Sequence, residues 1–398
     1  MDGSATDTAG SATGTADAGT RTKAAAVVYN PIKVDLPTLR ASVDAAAAAA
    51  GWGESRWYET SEEDPGKGQT EQAVRDGADV VLAAGGDGTV RAVAEGLRDS
   101  GVPIALLPSG TGNLLARNLN LTLGNLDDAV ATGFEGTDRE IDLGVVEVRR
   151  PDGSRDRLVF LVMAGIGLDA QMIENTDTEL KKKVGWLAYV DAIRKSLKGD
   201  NNTRLRFQLD GAPPRNLRVH TLMIGNCGSL PANILLLPEA AVDDGLFDIV
   251  ALRPQGLFGW IQIWVKIVWE NGVLRRSTVG RKLLNNLSRE VRALSYLKGK
   301  EIILRPERPV VFELDGDTFG EAAALKAFVD PLALTVKIPQ AEADRLPASE
   351  RTEMGATAAE QAVLPPEVTA IDPADAVVPE EQIGTPVGVP PEEDPDAA

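Results

Sequence analysis

Two rhythms of apolar and polar positions divide this chain. In the first third, short apolar runs at Ala24 to Tyr29, Ser55 to Thr60, Val80 to Ala84 and Val102 to Leu107 read as strands. Between them, Leu36 to Ala50, Thr70 to Asp76, Thr89 to Leu97 and Leu114 to Asn118 carry the period of helices. Strands alternating with helices predict a parallel sheet with helices on both faces. Ligands of such sheets sit beyond the carboxyl ends of the strands. Three loops share that edge: Asn30 to Lys33, Gly85 to Thr89 and Ser109 to Asn113.

After about Asp142 the rhythm changes. Leu158 to Ala164, Arg204 to Leu209, Leu217 to Ile224, Phe247 to Leu252, Glu301 to Leu304 and Val310 to Leu314 are strand-like with few helices between, which predicts an all-β sandwich. Helical insertions are expected at Val184 to Leu197 and Gly256 to Leu274, and a last strand at Leu332 to Ile338 is placed to return to the first domain. The predicted organisation is therefore an α/β domain over 24–141, a β-sandwich over 142–331, and disordered tails over 1–23 and 341–398.

Charge refines this picture in one respect. The net charge of −18 is concentrated in Ala341 to Ala398, where fourteen acidic residues face two basic ones, and Ala24 to Gln340 carries only −5. Overall acidity argues against a general nucleic-acid role and says little about what the folded part binds. One cysteine, Cys227, excludes a disulfide within the chain and fits a reducing compartment. Met1 to Lys23 has no apolar core of a signal peptide, and Gln262, Lys266 and Glu270 interrupt the most apolar stretch. The expected location is cytoplasmic, with peripheral attachment to the inner face of the membrane left open, as is a homodimer.

Gly85-Gly86-Asp87-Gly88-Thr89 holds the most informative chemistry. A strand, a glycine turn and a helix in that order aim backbone N–H groups and the positive end of a helix at one spot, which suits a phosphate. Asp87 inside the turn would repel a phosphate unless a divalent cation stood between them, which points to Mg2+ with a nucleotide. Taken alone, the same residues also make a plain turn, because Gly and Asp both tolerate unusual φ.

Asn30-Pro31, the GGDGT loop and Pro108 to Asn118 (PSGTGNLLARN) resemble, in order and spacing, the bacterial diacylglycerol kinase family of lipid kinases, relatives of sphingosine and ceramide kinases. Ile141 to Gly144 (IDLG), Ala164 to Ala170, Leu237 to Asp248 and Glu313 to Asp317 (ELDGD) extend the resemblance to the whole expected folded part. The resemblance implies an α/β domain like that of NAD kinases and phosphofructokinases, joined to a β-sandwich, with the active site in the cleft between them. It assigns Gly85, Gly86, Gly88 and Thr89 to the phosphates of ATP, with Asn30, Thr60, Thr111 and Asn113 lining the nucleotide site. It gives Asp87 and Asp142 to the Mg2+ of Mg-ATP, and Asp317 to the general base. A structural Mg2+ is implied at Asp243 with the carbonyls of Leu246 and Asp248. The implied reaction is phosphorylation of diacylglycerol to phosphatidic acid, on a lipid substrate at the membrane surface. Sphingoid or ceramide lipids and NAD are alternative acceptors, and a catalytically silent nucleotide or lipid sensor is an alternative of another class.

Three departures from the family pattern stand out. Leu114 replaces the Asp that often follows the Asn of PxGTxN; Asp317 stands where Glu is usual; and Lys33 lies in a loop that usually reads NPxSG. Lys33 either neutralises a phosphate or points into solvent. Asp315-Gly316 also suits a tight hairpin, and His220 reads as a structural residue in a strand. Gly165 to Ala170 fits a dinucleotide pattern but lacks the βαβ context that pattern needs. Trp260, Trp264 and Trp269, followed by Arg275, Arg276, Arg281 and Lys282, suit either an interfacial membrane segment or a buried helix.

Overall fold

A computed structural model describes residues 21–167, 203–230, 234–235, 237, 240–254 and 294–345. The expected insertions at Val184 to Leu197 and Gly256 to Leu274, the tryptophan cluster, and most of both tails lie outside the described residues. The alternating first third forms β1 (Ala25–Tyr29), α1 (Leu36–Ala49), β2 (Arg56–Glu59), α2 (Lys67–Arg75), β3 (Val80–Gly85), α3 (Asp87–Leu97), β4 (Ile104–Pro108) and α4 (Leu114–Asn118). These strands are parallel in the order β2-β1-β3-β4, and β1, β3 and most of β4 are buried on both sides, which explains their nearly unbroken apolar sequence. A further helix, α5 (Leu126–Glu135), packs with α1 on one face of the sheet, where Leu39, Val43, Val130 and Phe134 join one core cluster. Helices α2 to α4 contribute Ala73, Val93, Leu97 and Leu115 to the cluster on the other face.

The second rhythm gives β5 (Thr137–Arg149), β6 (Arg155–Phe160), β7 (Met163–Ile166), β8 (Thr203–Leu209), β9 (Arg215–Val219), β10 (Thr221–Gly225), β11 (Ser229–Leu230), β12 (Ile234–Leu235), β13 (Phe247–Leu252), β14 (Leu294–Gly299), β15 (Glu301–Pro306), β16 (Val310–Leu314), β17 (Asp317–Ala322) and β18 (Ala324–Ile338). A six-stranded sheet, β14-β13-β10-β7-β16-β17, packs against the antiparallel part of the first sheet through Phe160, Phe207, Leu222, Phe247, Ile302 and Phe312. An α/β half with a parallel sheet followed by antiparallel sheets is thus the architecture.

The two halves share one sheet of ten strands. Strand β18 pairs with β5 along its length, with β15 near its start, and with β4 in parallel at Val336–Ile104. The expected division at 141/142 falls inside β5, so no linker separates the halves there. The register of β18 on β5 shifts between Asp330 and Leu334, where Leu332 has φ 51° and stands 44% exposed. Such a bulge lets one strand serve two differently oriented sheet regions.

Several boundaries differ from the sequence reading for local reasons. The run Leu217 to Ile224 is broken at His220, whose Nδ1 lies 2.9 Å from Thr221 Oγ1. The run Leu158 to Ala164 is broken because Leu161, Val162 and Met163 turn to donate their N–H groups to one carboxylate, that of Asp315. Arg21 bonds to Gly77 O and Asp79 Oδ1, and Gln340–Ala343 forms a short helix, α6, so the segments expected as tails each have a described residue or more packed on the folded part. Among the described residues no helix is long and apolar enough to cross a membrane.

Candidate active site

The three loops expected at the carboxyl edge meet there. Ser109 N–H donates to Gly85 O at 3.0 Å, and Asn30 N–H to Ala84 O at 2.9 Å, so both flanking loops are tied to the end of β3. A Cβ added to Gly110 would lie 2.8 Å from the Cα of Gly86, so glycine is what lets these two backbones touch. Asn113, in the left-handed region at φ 48°, closes its own loop by donating to Gly110 O (2.9 Å) and accepting from Gly110 N–H (3.2 Å). Helix α3 begins at Asp87, two residues earlier than its apolar period implies, which leaves Gly86 as the N-cap with no side-chain partner for the first-turn N–H groups.

Lys33 settles beside this turn. The Asn30 side chain accepts from Ile32 N–H at 3.0 Å and the Asn30 carbonyl from Lys33 and Val34, winding the chain so that Lys33 Nζ would lie 2.6 Å from a Cβ on Gly86. A cation and a free helix start therefore flank one glycine. Thr89 is buried and packs on Gly85, and Thr60 is buried with its N–H bonded to Tyr29 O, next to Asn30. Thr111 is exposed at the rim.

Asp87 does structural duty that its loop position does not disclose. Its Oδ2 accepts from Asn113 N–H at 2.9 Å and its Oδ1 from Leu114 N–H at 2.6 Å, capping α4 and fixing the second loop against the first. Leu114 itself is buried in the core, so α4 spends this position on packing rather than on a carboxylate.

The sandwich half supplies the second carboxylate. Asp315-Gly316 makes a two-residue hairpin with φ 50° and 92°, and Leu314 pairs with Asp317 across it. Asp315 faces inward, accepts the three N–H groups of Leu161, Val162 and Met163, and has its pKa pushed up to about 6 by burial. Asp317 faces the other way. A Cβ on Gly88 would lie 2.8 Å from Asp317 Oδ2, so this exposed carboxylate rests against the glycine turn. Two residues on, the Phe319 ring carries the guanidinium of Arg91 at 4.4 Å from its centroid, one helical turn beyond Gly88. Arg91, only 6% exposed, ties β17 to α3 and so ties Asp317 to the loop. Sequence reasoning misses Arg91; its signal would have been a charged residue three positions after Gly88 on the buried face of a helix.

The remaining assigned residues have partners of their own. Asp142 is 0% exposed, accepts Gly245 N–H at 2.7 Å and Leu332 N–H at 2.9 Å, and has its pKa raised to about 6, chiefly by burial, with the charges of Asp244 and Asp243 adding to it. It pins the β18 bulge to the loop before β13 and shares no partner with Asp87. Asp243 is held by Arg139 at 2.7 Å, and Asp248 lies 3.2 Å from Lys298. Arg139 thus takes up the charge of Asp243, the one carboxylate that the resemblance gives to a structural metal, while the ion pair of Asp248 leaves its assigned carbonyl untouched. Among the described residues no three His, Cys, Asp or Glu side chains converge as a metal-ligand set. In the Gly165 to Ala170 segment, Gly165 lies in β7 and Gly167 packs on His220 O, a close contact between strands; 168–170 lie outside the described residues.

Residues 24–146 match the family model described as the diacylglycerol kinase catalytic domain. A Stenotrophomonas maltophilia protein named "Probable lipid kinase YegS-like" is 30% identical over 262 residues, covering 62% of this chain and 74% of that protein. A Bacillus subtilis protein named diacylglycerol kinase is 27% identical over 245 residues, covering 61% and 77%. The fold matches that of a diacylglycerol kinase from Bacillus anthracis str. Sterne with a TM-score of 0.58 at 22% identity, over 81% of this chain and 99% of that one. The match spans about half, 54%, of a Synechocystis relative. The chain belongs to the diacylglycerol kinase catalytic-domain family of lipid kinases.

Proposed function

We infer that this chain transfers the terminal phosphoryl group of ATP to the hydroxyl of diacylglycerol, giving phosphatidic acid and ADP. The observation that supports the reading is the closeness of Asp317 to the glycine turn, where its Oδ2 would lie 2.8 Å from a Cβ on Gly88: a carboxylate beside a phosphate-binding turn suits the deprotonation of an alcohol attacking that phosphate. The names of relatives support a lipid acceptor, and the geometry supports the roles proposed next. The first-turn N–H groups of α3 and the Lys33 ammonium draw in the phosphate chain. Asp317 takes the proton of the lipid hydroxyl as its oxygen bonds to the γ-phosphorus, and the bond from that phosphorus to the bridging oxygen breaks with its electrons leaving on ADP.

The residues fit a nucleotide better than a preformed metal cage. Mg2+ arriving with ATP would spread the negative charge of the phosphates, with Asp87 the carboxylate in the loop nearest to it. Because both Asp87 oxygens already accept backbone N–H groups, most of its ligands would come from phosphate and water, as is usual for this ion.

Incubation with Mg-ATP and a panel of diacylglycerol, sphingoid base, ceramide and NAD tests the reading. Phosphate transfer to diacylglycerol is expected. Transfer only to another acceptor, or ATP binding without transfer to any, overturns it. Asp317→Asn is expected to lower turnover by about 10² to 10⁴ fold while leaving ATP affinity close to that of the parent.

A further inference from the structure

The outward face of the antiparallel strands is crowded with arginine. Arg204 of β8 stands directly opposite Arg218 of β9, Arg206 directly opposite Arg305 of β15, and Arg149 of β5 directly opposite Arg155 of β6. All six are exposed. The register through Ile303, Lys326 and Glu147 puts them on a single face, since the residues that alternate with them, Leu205, Leu217, Leu304 and Val148, point into the core between the sheets. Neighbouring cations on this face are neutralised: Lys326 meets Glu301 at 3.0 Å, and Arg157 lies 4.0 Å from Glu147. Arg149, Arg155, Arg204, Arg206 and Arg305 make no ion pair among the described residues.

Like charges directly opposite on a sheet destabilise it. Three such pairs on one face, in a folded part (Ala24 to Gln340) whose own net charge is −5, call for a function that rewards them. We propose that this arginine face is a docking surface for an anionic lipid bilayer. It is broad and nearly continuous across six strands, so it presents cations in a plane rather than in a groove, and a plane of phosphates is what a bilayer offers. A nucleic acid would meet the same cations, but as a narrow polyanion repelled by the rest of the chain. The proposal rests on the lipid-kinase reading for its purpose, because a lipid acceptor remains in the membrane, and on the strand register for its location.

The test separates the two. Binding of the full chain to vesicles is measured by sedimentation without nucleotide, using phosphatidylcholine alone and phosphatidylcholine with phosphatidylserine. Transfer is measured separately on a short-chain, water-soluble diacylglycerol. Expected results are binding to the anionic vesicles only, its loss at high salt, and about 25-fold weaker binding for Arg204→Gln with Arg206→Gln, at roughly fivefold per arginine. The control pair Arg75→Gln with Arg345→Gln, exposed arginines on other surfaces, should bind like the parent. The docking variant should melt no lower than the parent, since it relieves like-charge pairs, and should keep full turnover on the soluble substrate. Absence of binding to anionic vesicles, equal binding by parent and docking variant, or tighter binding to an RNA homopolymer than to vesicles overturns the proposal. Failure of transfer with vesicle binding intact would overturn the kinase reading and leave the docking surface standing.

Discussion

Asp315 and Asp317 stand two residues apart in one hairpin and have opposite fates. Asp315 is buried with three N–H donors, and burial outweighs them, so its pKa rises from 3.8 to about 6. The folded state therefore holds that proton more tightly than the unfolded one, and stability falls as pH rises from about 4 to about 6. The stability gap between the parent and Asp315→Asn, measured by urea titration, should accordingly narrow over that window and be flat at higher pH. Asp317 touches Gly88 from outside, and the predicted consequence is kinetic. Gly88→Ala would push a methyl against a mobile carboxylate end, so we expect a melting temperature near that of the parent and turnover at least tenfold lower, because misplacing a reacting group costs rate steeply. ELDGD showed in the sequence both a hairpin and, through resemblance, a base. It did not show which of its acids would be buried, because the donors Leu161 to Met163 lie about 150 positions away, as the bond separations of 152 to 154 record.

Among elements, the packing of α3 against β17 decides whether the glycine turn and Asp317, the proposed base, face each other. Arg91 over Phe319 is the clasp, and Arg91 in turn lies 3.8 Å from Glu95, which meets Lys67 at 2.8 Å. Phe319→Ala should lower kcat on lipid about tenfold and move KM for ATP little, with Phe319→Leu restoring stability but not the full rate, since the cation needs a ring face. Strand β17 was not legible: Asp-Thr-Phe-Gly-Glu-Ala has no clean alternation, and Gly320 at φ 72° sits where the register with β16 slips. Helix α5 and strand β14 were also missed, whereas the buried parallel strands were found nearly to the residue because two covered faces demand an unbroken apolar run.

At the scale of the molecule, the sequence suggested two domains, and the structure joins them through β5 and β18. The sequence hid this because Asp330-Pro331 reads as a break before the strand-like run from Leu332, although β18 runs through both. Asp142 holds that junction, and Asp142→Ala would leave two half-buried N–H groups without their acceptor. A loss of about 1–3 kcal/mol is expected in denaturant titration, with both halves unfolding in one transition.

Strand order has a consequence for biosynthesis. Among the described residues strand β4 finds its second neighbour only in β18, so the edge of the half made first stays bare while the ribosome adds the residues from Pro108 to Val336, the partner of Ile104. At the ordinary pace of translation that interval lasts on the order of ten to forty seconds. A nascent chain arrested before Ala324 should therefore be captured by chaperones or aggregate through β4, and the completed polypeptide should not.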